Sequence, residues 1–451
     1  MTRRTTDLAL ALCAVFTAGC GGAATVASDA GVASDGAMVA NDGAADASSD
    51  VVDAATADVG NAGCDGVRRP FWTWNLRVMP PPDVQVDAEC HAARSHIYLY
   101  ATDAVWGMRL DQAHADSIVR AFDESAPADP ARGIYAIETA IYGEPPDLDG
   151  DPHVVLLYQD MGSFHGYTFD GFFRSLDETP DDPHSNAMEM LHVDAVRMDP
   201  TNEYMLGVVA HEFVHLLAFQ YGDEDVWLSE MIAEAGMAAT GYLGDVRLAR
   251  TFAAHPTSPL VGNTAGMDYG PLFLFGDYLV ERYGTAVIGD IARNRARGVP
   301  TVEAALSSRG GTFREVFGDW ATANLVDAAR PPYGYAAFDV STEPSATTLT
   351  AGTAASGSVA AWTAGYARID LDASATTADV TLQSSSSSSL VVRAAVYDPA
   401  ARGDATVTSV ALSGATTTAS VPLPAGRRRL AVVVANPTSA AVPYTITVAA
   451  R

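Results

Sequence analysis

Two histidines and a glutamate near the middle of the chain have the types and spacing of a metal-binding helix. Residues 208–217 read VVAHEFVHLL, so His211 and His215 are four residues apart and Glu212 follows the first histidine. On a helix such a pair lies on one face, and both imidazoles can reach one ion about 2.0–2.1 Å away. Glu212 can contact water bound to that ion. The segment therefore predicts a zinc site with Glu212 as catalytic base.

A third protein ligand must come from elsewhere in the chain. The pattern HExxHxxGxxH is absent, because Ala218 and Tyr221 stand at its last two positions. Residues 226–234 read VWLSEMIAE and predict a second amphipathic helix that returns past the first. Glu230 and Glu234 share one face of it, so one can bind the metal while the other orients a histidine.

Together these motifs resemble the gluzincin zinc peptidases. In that family HExxH precedes a W-L-N-E-G-like segment whose first glutamate is the third ligand. The resemblance implies Glu230 as ligand and Glu234 in a supporting position, with Ser229 in place of the usual asparagine. The short interval between His215 and Glu230 is most similar to hyicolysin-like metallopeptidases. The resemblance covers roughly residues 90 to 335 and implies a zincin-like α+β domain.

The resemblance also implies a mechanism. Three protein ligands leave the fourth zinc position for water, which zinc activates, and Glu212 would take its proton and later deliver it to the leaving amine. Gluzincins often use a tyrosine or histidine to stabilise the oxyanion, and Tyr269 is the first choice here, with His255 the second. The predicted function is a zinc-dependent endopeptidase that acts on extracellular proteins or peptides.

Three other interpretations compete with this function. The chain could be a lipid-anchored surface binding protein whose zinc domain is not catalytic. The zinc site could be purely structural, although such sites usually have four protein ligands and favour cysteine. Finally, the segment could be a buried helix with two packed histidines, which would leave Glu212 buried and unpaired at a cost in free energy.

The amino-acid composition limits the classes of molecule that this protein is expected to bind. The 451 residues carry a formal charge of −28, and all 27 basic residues are arginine. A surface this acidic argues against nucleic acid or anionic lipid as partner. The resemblance implies a protein or peptide substrate, and we expect the enzyme to be a monomer. No internal stretch reaches the ~18 apolar residues that a membrane-spanning helix needs.

The N-terminus predicts export. Arg3 and Arg4 precede a short apolar run at residues 8–16, which fits a signal peptide over residues 1–19. The sequence TAGC at 17–20 resembles a bacterial lipobox, with threonine where leucine is usual. It implies lipidation of Cys20 and a membrane contact through that lipid alone; ordinary secretory cleavage is the alternative.

Two further features depend on export. Residues 20–63 are rich in Ala, Gly, Ser and Asp and lack aromatic and basic residues, which predicts a disordered acidic tether. Cys64 and Cys90 follow it and could form a disulfide outside the cytoplasm, two free thiols being the alternative.

Hydrophobic periodicity divides the remainder into two regions. Strand and helix patterns mix over residues 64–335, as in an α+β zincin-like metalloprotease domain. Short alternating runs with turn residues between them fill residues 340–451, as in an all-β sandwich. Predicted strands lie at 96–101, 153–158, 366–371, 380–383, 390–397, 406–412, 430–435 and 444–448, and predicted helices at 111–124, 200–220, 226–242, 269–283 and 312–327.

An acidic segment offers a second metal site. Asp147, Asp149 and Asp151 alternate in the sequence DLDGD. Alternating carboxylates can bind calcium, but the glutamate that closes an EF-hand loop is missing. The alternatives are a calcium site and a plain acidic turn.

Overall fold

The computed structural model describes residues 64, 66–222, 224–242, 246–262, 268–337, 339–340, 342–372 and 374–451. The predicted signal peptide (1–19), lipidation site (Cys20) and tether (20–63) lie outside these residues. Among the residues described, no helix is long and apolar enough to cross a membrane. The chain forms a mixed α/β region followed by a β-rich C-terminal region, which confirms the fold class in its coarse form.

A mixed sheet forms the base of the first region. Its strand order is β1-β2-β3-β4-β8-β7, with β3, β4 and β8 parallel and the outer strands antiparallel. A small hairpin, β5 and β6, precedes the edge strand β7. The bounds are β1 (Arg68–Trp74), β2 (Asp83–Arg94), β3 (Ile97–Thr102), β4 (Val154–Gln159), β5 (Ser163–Phe164), β6 (Tyr167–Thr168), β7 (Gly171–Phe173) and β8 (Met190–Asp194).

Both faces of this sheet are covered. Along β4, Leu156 and Tyr158 point into the helical core, whereas Val155 and Leu157 point to a smaller apolar cluster on the opposite face. That second cluster contains a buried disulfide between Cys64 and Cys90, whose Cα atoms are 5.2 Å apart. Because β4 is covered on both faces, all six residues of its sequence VVLLYQ are buried, and five of them are apolar or aromatic.

Nine helices lie within the described residues. Caps determine where the helices begin. Asn202, for example, accepts a hydrogen bond from the Met205 N–H at 2.8 Å, so the helix that carries His211 and His215 begins at Glu203 and not at Pro200. The bounds are α1 (Gln112–Asp123), α2 (Ile134–Tyr142), α3 (Glu203–Phe219), α4 (Val226–Ala239), α5 (Val246–Ala254), α6 (Tyr269–Tyr283), α7 (Ala286–Arg293), α8 (Val299–Ser307) and α9 (Phe313–Val326).

Two sheets form the C-terminal region and share one apolar core. Their orders are β14-β13-β16-β11-β9 and β10-β17-β12-β15, and side chains from both sheets meet between them. The bounds are β9 (Thr347–Thr348), β10 (Ala355–Val359), β11 (Thr363–Asp370), β12 (Thr377–Gln383), β13 (Val391–Asp398), β14 (Ala401–Val410), β15 (Thr416–Pro422), β16 (Arg429–Asn436) and β17 (Val442–Ala450).

Helix α9 joins the two regions. It covers the outer face of β13 and β16, so these strands are buried on both faces and not alternately exposed as their sequence pattern suggested. Gly318 permits close contact, because a Cβ there would lie 2.3 Å from Val391 Cγ1. Arg393 reaches across with Nη2 3.0 Å from Asp319 and 2.6 Å from Glu315.

We expect Arg393→Ala to lower the free energy of unfolding by about 2–3 kcal/mol, because it removes charge-assisted hydrogen bonds from a side chain that is 7% exposed. Urea denaturation followed by tryptophan fluorescence measures this. Arg77→Ala is the matched control, since Arg77 and its partner Asp160 are 51% and 41% exposed and such pairs contribute about 1 kcal/mol or less. Equal losses in the two variants would contradict a stabilising contact between the regions.

Candidate metal centre and active-site cleft

Helices α3 and α4 pack closely and place the predicted ligands face to face. Both helices are almost wholly buried. Gly236 allows the approach, since a Cβ at this position would lie 2.4 Å from Val214 Cγ2 on the facing helix. His211 and His215 on α3 then face Glu230 on α4. This antiparallel pairing across a short turn is what the two sequence motifs required.

His211, His215 and Glu230 bring their ligand atoms to one point. The two Nε2 atoms are 3.2 Å apart, His211 Nε2 is 3.2 Å from Glu230 Oε2, and His215 Nε2 is 3.6 Å from Glu230 Oε1. Ligands about 2.0–2.1 Å from a tetrahedral zinc ion lie about 3.3–3.4 Å from each other, so the spacing fits zinc. Among the residues described, this is the one set of three such groups that converges.

The outer nitrogens of both imidazoles face oxygen atoms. His215 Nδ1 is 3.2 Å from Ser229 Oγ, within a hydrogen bond. His211 Nδ1 is 3.3 Å from Glu234 Oε1, a close charged contact whose geometry does not meet that of a hydrogen bond. A proton on each Nδ1 leaves each Nε2 lone pair directed at the shared point, which is the tautomer that a metal needs. Tyr269 lies near the same cluster and acts to lower the pKa of Glu230, against the effect of burial.

Charge is poorly balanced in this cluster without a cation. Burial raises the pKa of Glu230, against the effect of its hydrogen bond to His211. Burial would lower the pKa of His211, but its contacts with Glu230 and Glu234 raise that pKa well above the usual value. Burial, assisted by the charge of His211, lowers the pKa of His215. Glu230 Oε1 is buried with no hydrogen-bond partner among the described residues, so the donor set suits a divalent cation.

Glu212 lies beside the ligands and contacts the edge strand β7. Its Oε2 accepts a hydrogen bond from the Phe173 N–H at 2.9 Å, while its Oε1 is buried and has no partner among the described residues. Burial raises the pKa of Glu212 to about 7, against the effect of His211. Gly171 permits this contact, because a Cβ there would lie 2.7 Å from Val208 Cγ1 on α3.

A buried ionic network holds the end of β7. Arg174, which follows Phe173, is completely buried and donates to Asp177 at 2.6 Å and to Asp83 at 2.7 Å. His192 Nε2 lies 2.9 Å from the other oxygen of Asp177. The Phe173 N–H, which donates to Glu212, is therefore next in sequence to a residue that buried ion pairs hold in place.

Glu212 and His215 open into a cleft of about 290 Å³. Aromatic side chains line one part of it, with Trp74 stacked on Phe172 and Phe173 against Phe219. The turn after α7 contributes Arg295 and Arg297 to another part of the lining. The sequence did not predict these cleft residues, since they come from distant segments and belong to no motif. Ser229, whose hydroxyl contacts His215, could have been predicted only from its position next to Glu230.

Other predicted site residues are distributed differently. Tyr269 is buried beside Glu230 and does not line the cleft, and His255 is exposed beyond α5 and does not line it either. Asp149 and Asp151 accept hydrogen bonds from backbone N–H groups of their own turn, and with Asp147 they stand outside the converging set. The oxyanion role and the calcium site stay predictions.

Comparison with known proteins gives partial likenesses. No protein-family model and no curated protein matches the chain. The pre-peptidase C-terminal domain of a Bacillus anthracis collagenase aligns over 23% of this chain and 94% of its own, at 13% identity and TM-score 0.20. A periplasmic inhibitor of g-type lysozyme from Aeromonas hydrophila aligns over 24% and 96%, at 18% identity and TM-score 0.18. A family GH115 4-O-methyl-α-glucuronidase aligns over 68% and 53%, at 9% identity and TM-score 0.15. At these TM-scores no likeness supports a conclusion.

Metal content distinguishes the two glutamates of α4. We expect Glu230→Ala to lose bound zinc, because a ligand atom is removed, whereas Glu234→Ala should still fill at saturating zinc with about 10–100-fold weaker affinity. Elemental analysis after dialysis and competition with a chelating dye measure both quantities. Full zinc in Glu230→Ala together with an empty Glu234→Ala would move the ligand by one helical turn.

Proposed function

We propose that this protein is a zinc-dependent endopeptidase of the gluzincin type with a zincin-like catalytic domain. The observation that carries the proposal is the convergence of His211, His215 and Glu230 next to Glu212 at an open cleft. A structural zinc site would be closed by a fourth protein ligand, which is not found among the described residues. His215, with its side chain 12% exposed, borders the cleft from which a peptide would approach.

The residues of the chain suggest how the reaction would proceed. Zinc, when bound, supplies a Lewis acid that acidifies water and polarises the scissile carbonyl. Glu212 is held through Oε2 by the Phe173 N–H, so Oε1 is left to accept the proton of water in the cleft and return it to the leaving amine. Glu234 and Ser229 orient the two imidazoles, and Tyr269 acts to lower the pKa of Glu230.

The test is cleavage of casein by the zinc-loaded protein and by its Glu212→Gln variant. We expect activity to fall by about 10²–10⁴-fold with zinc retained, since the variant keeps the shape of the side chain but cannot accept the proton. Glu203→Gln is the matched control, because Glu203 is exposed in the first turn of the same helix. Equal activity in Glu212→Gln would sink the proposal, and binding of peptides without cleavage would favour a non-catalytic binding protein.

Export as a lipoprotein completes the proposal and rests on the resemblance of residues 17–20 to a lipobox. Metabolic labelling with a radioactive fatty acid should mark the protein and should be lost in Cys20→Ala, because the thiol is the acylated group. Cys13→Ala, in the preceding apolar segment, is the control that should keep the label. Unchanged labelling of Cys20→Ala would contradict lipidation at this residue.

A further inference from the structure

Charge is unevenly distributed around the cleft. The aromatic part is formed by Trp74, Phe172 and Phe219, whereas the turn after α7 contributes Arg295 and Arg297, both exposed. The protein as a whole carries a formal charge of −28, so its long-range field repels anions. Two arginines therefore stand at the mouth of a candidate active site in a strongly acidic protein, in the same lining as Glu212 and Glu224.

The turn that carries these arginines is fixed in place. Asn294 Oδ1 accepts a hydrogen bond from the Ala296 N–H at 2.9 Å, and Gly298 donates its N–H to Glu224 Oε1 at 2.7 Å. Arg297 has a φ of +48°, a left-handed conformation that a non-glycine residue adopts only when its surroundings enforce it. Since Glu224 precedes α4, the turn is attached to the connection between the two ligand-bearing helices.

Among the described residues, the acidic side chains that line the cleft are Glu212 and Glu224, and each accepts at least one hydrogen bond from a backbone N–H group. Glu224 accepts hydrogen bonds from the N–H groups of Asp225 and Gly298, both at 2.7 Å. Glu212 is bound to the Phe173 N–H beside the metal ligands. No hydrogen bond or ion pair joins the Arg295 guanidinium to either carboxylate. An arginine fork of this kind matches a carboxylate, which it can bind through two parallel N–H groups.

We propose that Arg295 forms a subsite for a carboxylate of the substrate, while the aromatic part of the cleft takes a neighbouring apolar side chain. The carboxylate is either an acidic side chain or the C-terminus of the peptide. The substrate class is thus an apolar peptide segment with a negative charge close to the cleaved bond. This inference rests on the proposed function, because it assigns the substrate of the same cleft.

The test measures binding, so that it does not depend on turnover. Three fluorescent peptides share one apolar sequence: one has Gln and an amidated C-terminus, one has Glu in place of Gln, and one has Gln with a free C-terminus. Their dissociation constants for the full-length, zinc-loaded Glu212→Gln protein are obtained by anisotropy. We expect one of the two anionic peptides to bind about fivefold tighter than the neutral one, as for an exposed charge pair of about 1 kcal/mol.

Substitutions then assign the preference to its residue. Arg295→Ala should bring the ratio of dissociation constants close to one, Arg295→Lys should restore part of it, and Arg109→Ala should keep it, because Arg109 is exposed and lies outside the cleft. Raising the ionic strength from about 0.05 to about 0.5 M should reduce the ratio. Which anionic peptide is preferred identifies the source of the carboxylate.

Two results would overturn the inference: equal affinity for all three peptides, or a preference that Arg295→Ala leaves intact. The proposed function fails separately, through casein. Cleavage of casein without any charge preference would remove the subsite alone. A charge preference that depends on Arg295 in a protein that cleaves nothing would support the subsite and refute the peptidase.

Discussion

Burial of ionisable groups between two apolar helices is the constraint on which this structure depends. Glu212 and Glu230 lie in surroundings where an unpaired carboxylate is costly, so each must be compensated by contacts of defined geometry. The compensating groups come from three places: the facing helix, the edge strand and the start of α6. Helix α3 therefore cannot move relative to any of them without exposing a charge to an unfavourable medium. A divalent cation at the point where the ligands meet would relieve what the protein groups leave unbalanced.

The same constraint explains which elements of the fold surround the site. The parallel strands are buried on both faces and give a rigid base, and the antiparallel edge strand β7 presents a backbone N–H to Glu212. Gly171 brings that strand against α3, and the ion pairs of Arg174 hold its other end. Positioning on regular elements is more exact than positioning on loops. The arginine-bearing turn belongs to a loop, and the hydrogen bond from the Gly298 N–H to Glu224 attaches it to the connection between α3 and α4.

The central part of the site could be predicted from sequence, because its information is local. His211 and His215 are four residues apart, which places both on one face of a helix, and a second helical segment nearby in the sequence supplies Glu230. The cleft could not, since Trp74, Phe219 and Arg295 come from segments whose proximity depends on tertiary packing. The short helices α2, α5, α7 and α8 were missed because helices of eight or nine residues give little periodic signal. In the C-terminal region the apolar run LAVVVA, and the run VVRAAVY that only Arg393 interrupts, held a signal of burial on both faces that alternation alone does not capture.

Helix α9 has a further consequence for how this protein can change over evolutionary time. Val391 lies against Gly318, where a side chain would collide with it, and Arg393 lies between acidic groups of the helix. A C-terminal region taken from another protein would bring a different side chain to each of these places. The two regions therefore cannot be exchanged independently of each other. A substitution on α9 at its contact with β13 limits which substitutions β13 can accept, and the reverse is also true. Recombination at residue 340 would separate partners that have to vary together.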